Sequence, residues 1–188
     1  MMNHSTAIMR HEDRHVRDKE LILAMLEQCP VCTLAMYDET YPYQVPLNFG
    51  YAWEDKLTIY VHMASKGYKL DLLKKNPHVC LNAFGFVDRS HWGKYRNERQ
   101  DYRSVTVFGK VEFITKEQSE EFVKALNLLQ DHYKREYISK APDTDRLLVA
   151  KITADAVTAK SNYPIHGMDE VYMPTNEELD RQKQEQNT

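Results

Sequence analysis

The sequence predicts a mainly β fold in which six antiparallel strands form a closed or split barrel with helices at its ends. Two observations lead to this prediction. Stretches rich in β-branched and aromatic residues outnumber those with helical periodicity. The first links between these stretches, DETYP and ED, have the length of antiparallel hairpin loops and are too short for parallel crossovers.

Six stretches carry the predicted strands. They are residues 31–37, 43–53, 56–63, 78–87, 102–114 and 146–160, the last of which also fits a pair of strands. The length of 188 residues fits one domain, which we place at residues 18–160. Residues 1–17 are polar and aperiodic and predict a flexible arm. Residues 161–188 predict a C-terminal extension with a short charged helix that begins near Pro174.

Three helices are predicted before the extension, each from an N-terminal capping signal. A capping side chain accepts a hydrogen bond from one of the free N–H groups at the start of a helix. The predicted caps are Asp18 for a helix over 19–28, Ser65 for a helix over 66–75, and Thr115, with Gln118 in a capping box, for a helix over 116–133.

The composition disfavours several classes of function. A hydrophobic fraction of 42% supports a real core, but no apolar run approaches the ~18 residues of a membrane span. A formal net charge of −3 argues against a nucleic-acid binder, which is usually basic. The first residues lack the apolar region of a secretory signal. We therefore expect a cytoplasmic protein that binds neither membrane nor nucleic acid.

The cysteines predict structural roles. Cys29 and Cys32 form a CPVC motif, but the motif follows a helix and opens a strand, which reverses the thioredoxin-type order. No helix dipole would then activate either thiol. Cys80 alternates with apolar residues in the fourth predicted strand. Because no second pair of ligands has the spacing of a zinc site, we expect buried thiols and no metal.

Two lysines mark a candidate anion site. Lys66 and Lys69 fall in the first turn of a predicted helix, where the partial positive charge of the helix N-terminus disfavours a cation. An anion there would gain from both lysines and from free backbone N–H groups. The sequence therefore favours a phosphate site. Lys74 and Lys75 leave open the alternative that this helix is lysine-rich and simply solvated.

The stretch YPYQVPLNFGY, residues 41–51, predicts an edge strand or a bulge. Pro46 lies in its middle and has no N–H group to give to a strand ladder. Backbone groups between Val45 and Phe49 would then be free to bond a flat polar ring.

Three motifs resemble a known family. YPYQVPL, the strand end YVH followed by GYK, and YRSVTVFGK are similar to motifs of the pyridoxamine 5′-phosphate oxidase-like flavin-binding split barrels. The similarity runs from about residue 20 to residue 155. The nearest subgroup is the Nim type, associated with reductive resistance to 5-nitroimidazole drugs. The resemblance implies an FMN-binding homodimer with two sites at the subunit interface.

The same resemblance implies the residues of the site. The flavin ring would lie against the backbone of residues 45–48, and the phosphate would lie near the two lysines. In the family the fifth strand also lines the cofactor pocket, and in the Nim subgroup the histidine that corresponds to His62 lies in the active site. The implied residues are Val45, Pro46, Leu47, Asn48, His62, Ser65, Lys66, Lys69, Arg103 and Ser104.

The function expected from the resemblance is that of a flavin-dependent oxidoreductase. It would reduce a small electron-poor substrate, such as a nitroaromatic compound, with reduced nicotinamide as a plausible electron donor. His62 would orient the substrate or donate a proton, because the unperturbed pKa of histidine is near neutral. The alternative is a split barrel that binds haem, or one that holds flavin without turnover. The loop at residues 86–101, with Trp92, fits either a lid over the flavin or a connector.

Overall fold

The computed structural model describes residues 14–85 and 102–161. Within these ranges eight strands form one antiparallel sheet, accompanied by three helices. The mainly β, antiparallel prediction is confirmed. In chain order the elements are β1 His15–Val16, α1 Lys19–Glu27, β2 Cys32–Met36, β3 Tyr43–Leu47, β4 Phe49–Trp53, β5 Leu57–Ala64, α2 Tyr68–Lys75, β6 His78–Gly85, β7 Arg103–Ile114, α3 Ser119–His132 and β8 Leu147–Ser161.

The sheet closes into a barrel at Asn48. The strand order is β3-β2-β6-β7-β8-β5-β4, so β3 and β4 lie at opposite edges of the sheet. Asn48 alone separates these two strands along the chain, which limits the distance between their ends to about 7 Å. Two opposite edges come this close only when the sheet curls round on itself. Because β3 and β4 share no ladder, the barrel is split there.

The number of strands differs from the prediction. The stretch at residues 43–53 forms two strands instead of one, because the chain passes at Asn48 from one edge of the sheet to the other. Strand β1, from the end of the predicted arm, pairs with the end of β8. The last predicted strand is one element, β8, with a register shift against β7 that leaves Asp155 as a bulge. The described residues thus contain eight strands rather than six.

Alternating side chains fill the interior of the barrel. In β2, Cys32, Leu34 and Met36 are buried, whereas Thr33 and Ala35 point to the outer face. Helix α1 packs its apolar face, including Ile22, Met25 and Leu26, against this core. The predicted cap of α1 is also confirmed, since Oδ1 of Asp18 accepts the N–H of Leu21 at 3.0 Å.

Helix α3 covers the outer face of β4, β5 and the first half of β8. Phe122, Leu126 and Leu129 pack there against Tyr60 and Val149 in a second hydrophobic core. The predicted N-cap of this helix, Thr115, is wrong: the helix begins at Ser119 with Gln118 as its N-cap. One half of the capping box still forms, because Oε1 of Gln118 accepts the N–H of Thr115 at 3.1 Å.

Some predictions lie outside the described residues. They concern most of the arm, the loop at residues 86–101 and the extension that contains Pro174. The choice between a lid and a connector for the loop therefore stays open. Across residues 14–85 and 102–161, no helix combines the length and the apolar character needed to cross a membrane.

Candidate functional site at the corner of the barrel

The free edge of β3 forms one side of the candidate site. Among the described strands β3 pairs only with β2, and the exposed Pro46 lies opposite Thr33. The edge strand predicted from this proline is confirmed. Its outer edge presents backbone groups that no ladder satisfies within residues 14–85 and 102–161. Tyr43, at the start of β3, contacts Tyr68 of α2 with the ring centroids 5.2 Å apart, so this edge adjoins the start of α2.

The start of α2 is open and positively charged. Gly67 is the N-cap with φ +120°, and a Cβ at this position would meet no atom within 4 Å. In the described part of the chain, the N–H groups of Tyr68 and Lys69 have no backbone acceptor. Within the same ranges, neither Lys66 nor Lys69 has a carboxylate partner. The anion site predicted from the sequence therefore has free N–H donors and two lysines without an ion pair among the described residues, and Asp71 is the one acidic residue of this first turn.

Ser65 is not the cap of α2, which corrects the sequence prediction. Its N–H donates to the carbonyl of Arg146 at 3.0 Å, and its hydroxyl donates to the carbonyl of Asp145 at 2.6 Å. These bonds hold the end of β5 against the segment before β8, and the observed cap, Gly67, lies two residues after the predicted one. The pattern of the local sequence contains no information on this partner.

A cleft of about 230 Å³ lies at the corner where the barrel closes. Asn48 and His62, which the resemblance placed in one site, both line it. The other polar lining residues are Gln130, Tyr133 and Arg135, which the sequence analysis did not identify. No residue in the described lining carries a carboxylate.

The apolar walls of the cleft come mainly from α3 and the segment that follows it. Two hydrogen bonds hold this segment against the helix. The side-chain amide of Asn127 donates to the carbonyl of Ile138 at 3.0 Å, and the N–H of Ile138 donates to Oδ1 of Asn127 at 2.8 Å. The apolar lining residues are Leu126, Leu129, Ile138, Pro142 and Leu147.

The surroundings of His62 favour its neutral form. Burial lowers the pKa of this imidazole, and the positive charge of Arg135 lowers it further. The neutral ring therefore predominates at neutral pH. Of the two roles predicted for His62, hydrogen bonding to a ligand fits this environment better than proton donation.

The end of α3 is tied to the CPVC turn. The hydroxyl of Tyr133 accepts the N–H of Phe49 at 3.2 Å and donates to the carbonyl of Pro30 at 2.8 Å. Nε2 of the buried His132 lies 3.0 Å from the carbonyl oxygen of Cys29, so this nitrogen carries the proton. The turn thus anchors the helix that forms the wall of the cleft.

The thiols of the motif are buried, as predicted. Burial raises the pKa of Cys29 to about 11 and that of Cys32 to about 12. The thiol of Cys32 also donates to the carbonyl of Leu47 at 3.4 Å. Because the thiolate is the reactive form, both groups are inert near neutral pH. Cys80 is only half-buried.

Arg103 and Ser104 do not join the corner within one chain. Arg103 is buried, and its guanidinium donates to the side-chain oxygen of Gln28 at the end of α1. Ser104 lies on the outer face of β7, which β2 and β6 separate from β3 in the sheet. Their predicted contact with the cofactor stays a prediction.

Comparison with known families and with solved structures identifies proteins that are similar to this chain. The model of the pyridoxamine 5′-phosphate oxidase family matches residues 18–161. The chain belongs to this family. The family match begins at the cap of α1 and ends with the last residue of β8, and it confirms the resemblance seen in the sequence. A search of curated proteins found no match.

Solved structures of similar proteins support the family and the split-barrel fold. A candidate 5-nitroimidazole antibiotic resistance protein from Bacteroides thetaiotaomicron is 28% identical, with a TM-score of 0.65 over 78% of this chain and 86% of that one. An FAD-binding protein from Mesorhizobium loti is 19% identical, with a TM-score of 0.54 over 79% and 96%. The flavocytochrome Anf3 from Azotobacter vinelandii is 20% identical, with a TM-score of 0.61 over 93% and 78%. The last two likenesses establish the fold alone.

Proposed function

We propose that this protein is an FMN-dependent oxidoreductase that reduces a small electron-poor substrate, such as a nitroaromatic compound. The observation that carries the proposal is the pair Lys66 and Lys69 at the open start of α2, next to the free edge of β3. A phosphate would gain from both charges and from the N–H groups of Tyr68 and Lys69. Family membership and the likeness to the Bacteroides protein support the same assignment.

The residues around the corner have separate roles in this proposal. Lys66 and Lys69 bind the phosphate, and the backbone of residues 45–48 lies along the ring. Ser65 fixes the turn through its bonds to the segment before β8 and does not use its hydroxyl proton on the ligand. His62 orients the substrate as a hydrogen-bonding neutral imidazole. Bound FMN supplies two-electron redox chemistry, for which we propose reduced nicotinamide as the donor.

A haem-binding protein, or one that holds flavin without turnover, is the second candidate. The fold likeness to the Azotobacter flavocytochrome and to an FAD and haem binding protein from Mycobacterium smegmatis, with a TM-score of 0.61, favours it. In the described part of the chain the imidazole of His62 has no hydrogen-bond partner, so it is available as an axial ligand.

An absorption spectrum of the purified protein separates the candidates. We expect flavin bands that reduced nicotinamide bleaches and that a nitroimidazole then restores, because electrons pass from the donor to the nitro group. A Soret band would favour haem. A non-catalytic carrier would be favoured if reduced nicotinamide left the flavin bands unchanged and if flavin bleached with dithionite were not reoxidised by the nitro compound. A colourless protein that cannot be loaded with FMN contradicts the proposal.

We further propose that the protein is a homodimer, as the resemblance implies. Cross-strand register aligns Gln44, Ala35, Cys80, Phe108 and Ala156 in one row across the outer face of five strands. Gln44 is exposed and the other four side chains are half-buried. These four are a cysteine, a phenylalanine and two alanines, so the row is mostly apolar. A twofold partner on this face would bury the row and bring a second copy of Ser104 towards the cofactor site.

Light scattering at micromolar concentration is expected to give the mass of two chains for the parent protein. The Ala35→Lys variant should be monomeric, because a lysine at the middle of the row would place an unpaired charge in the interface. Thr58→Lys is the matched control, since Thr58 is also a half-buried outward residue but lies on β5, away from the row. A parent monomer, or an unchanged dimer in Ala35→Lys, contradicts the proposed interface.

A further inference from the structure

We propose that the cleft at the corner of the barrel binds a small organic anion with an apolar body, such as an aromatic monocarboxylate, and that Arg135 is the residue that recognises its charge. The inference depends on the described cleft and holds whether or not the chain binds a flavin. Arg135 lies after the end of α3 and outside the three motifs that carry the family resemblance.

The charge of the cleft is the first argument. The chain has 28 acidic and 25 basic residues, yet the described lining contains one arginine and no carboxylate. Within residues 14–85 and 102–161, Arg135 has no ion-pair partner. An arginine that lines an apolar cleft without a carboxylate is a site at which an anion gains charge-assisted hydrogen bonds.

The turn that places Arg135 is the second argument. The N–H of Lys134 donates to the carbonyl of Asp131 at 3.1 Å, and the N–H of Arg135 donates to the carbonyl of Gln130 at 2.8 Å. This pair of bonds is a Schellman motif, which requires a left-handed residue at the position of Lys134. Lys134 has φ +52°, and its Nζ lies 2.6 Å from Oε1 of Glu27 in an ion pair. Glycine is preferred in this left-handed conformation, so a lysine adopts it only where surrounding contacts hold it. The ion pair with Glu27 therefore fixes the conformation of the turn.

The turn directs Arg135 back over the end of the helix. Its guanidinium carbon lies 5.7 Å from the centroid of the Tyr133 ring, and both side chains line the cleft. Because the hydroxyl of Tyr133 is fixed by Phe49 and Pro30, the ring beneath the guanidinium has a defined position. The charged group is thus held at the cleft by backbone and by ring contact.

The lining defines the class of ligand. The polar lining includes the guanidinium of Arg135, the amide of Asn48 and the imidazole of His62, all of which can donate to a carboxylate, and the charge of Arg135 acts on His62. The remaining walls are leucine, isoleucine and proline side chains. The volume of about 230 Å³ is below that of most cofactor sites, so it suits a ligand with one ring.

Calorimetric titration with benzoate and with its neutral analogue benzamide tests this inference. We expect the parent to bind benzoate about tenfold more tightly than benzamide, and Arg135→Gln to lose this preference. Arg146→Gln is the matched control: Arg146 is also an exposed arginine of the segment between α3 and β8, but it does not line the cleft, so the preference should be retained. Each protein is titrated both as purified and after FMN loading.

Three results of the benzoate titration would overturn the inference. They are the absence of benzoate binding to the parent, equal binding of benzamide, and an unchanged preference in Arg135→Gln. Loss of FMN from Arg135→Gln would also contradict it, because the cleft would then belong to the flavin. A parent that cannot be loaded with FMN but still prefers benzoate would refute the proposed function and support the anion site, so the two failures are distinguishable.

Discussion

The variant Lys66→Ala/Lys69→Ala is expected to fold normally and to bind FMN at least about 100-fold more weakly than the parent. The phosphate would lose the charge-assisted hydrogen bonds of two lysines. Neither lysine forms an ion pair with a described carboxylate, so both are available to the phosphate. Folding should not suffer, because removal of two cations from a helix N-terminus relieves an unfavourable charge–dipole interaction. Quenching of flavin fluorescence on titration measures the affinity, and circular dichroism with thermal melting checks the fold.

The other end of the same helix provides the control. Lys74→Ala/Lys75→Ala removes the same charge from the last turn of α2, where both lysines are exposed. We expect FMN affinity to stay within about twofold of the parent, apart from the screened long-range effect of net charge. Equal losses in the two double variants would mean that only overall charge matters. Full FMN affinity in Lys66→Ala/Lys69→Ala would remove the phosphate site from this corner.

Gly50→Ala is expected to lower the free energy of unfolding by about 3 kcal/mol and the melting temperature by about 10 °C. A Cβ on Gly50 would lie 2.5 Å from the carbonyl carbon of Leu128 and 2.6 Å from the N of Leu129. These are backbone atoms of α3, so no side-chain rotation can make room. The helix must move away from β4, which opens the second core and displaces the wall of the cleft. Thermal and urea unfolding measure the change.

Gly85→Ala is the matched control for this prediction. Gly85 is also in a strand, but a Cβ there would lie 3.6 Å from its nearest neighbour, the carbonyl oxygen of Gln28, which is ordinary contact. We expect its stability to stay within about 0.5 kcal/mol of the parent. If Gly50→Ala changed the free energy of unfolding as little as Gly85→Ala, α3 could not lie as close to β4 as described here. The position of the cleft wall that α3 forms would then also be wrong.

The sequence alone predicted the elements whose causes are local. The β-forming residues at 31–37 predicted β2 and the helical signals at 18–28 predicted α1, and both elements are present in the structure. Asp18 caps α1 because the acceptor and the N–H group are three residues apart. Pro46 predicted an edge strand because it lacks a ladder donor, and β3 lies at the edge of the sheet. In each case the deciding contact is among near neighbours in the chain.

The site itself depended on contacts that are distant in the chain. The closure at Asn48 brings that residue beside His62, and only the order of all the strands reveals that β3 and β4 lie at opposite edges. Ser65 does not cap α2 because it bonds the carbonyl groups of Asp145 and Arg146 instead. These partners are 80 or more residues away in the chain, so the local sequence could not reveal them. The sequence thus determined the strands, the edge and the paired lysines of this protein. The tertiary structure decided the cleft, because Asn48, His62 and Arg135 line one site only when the sheet curls and α3 packs across it.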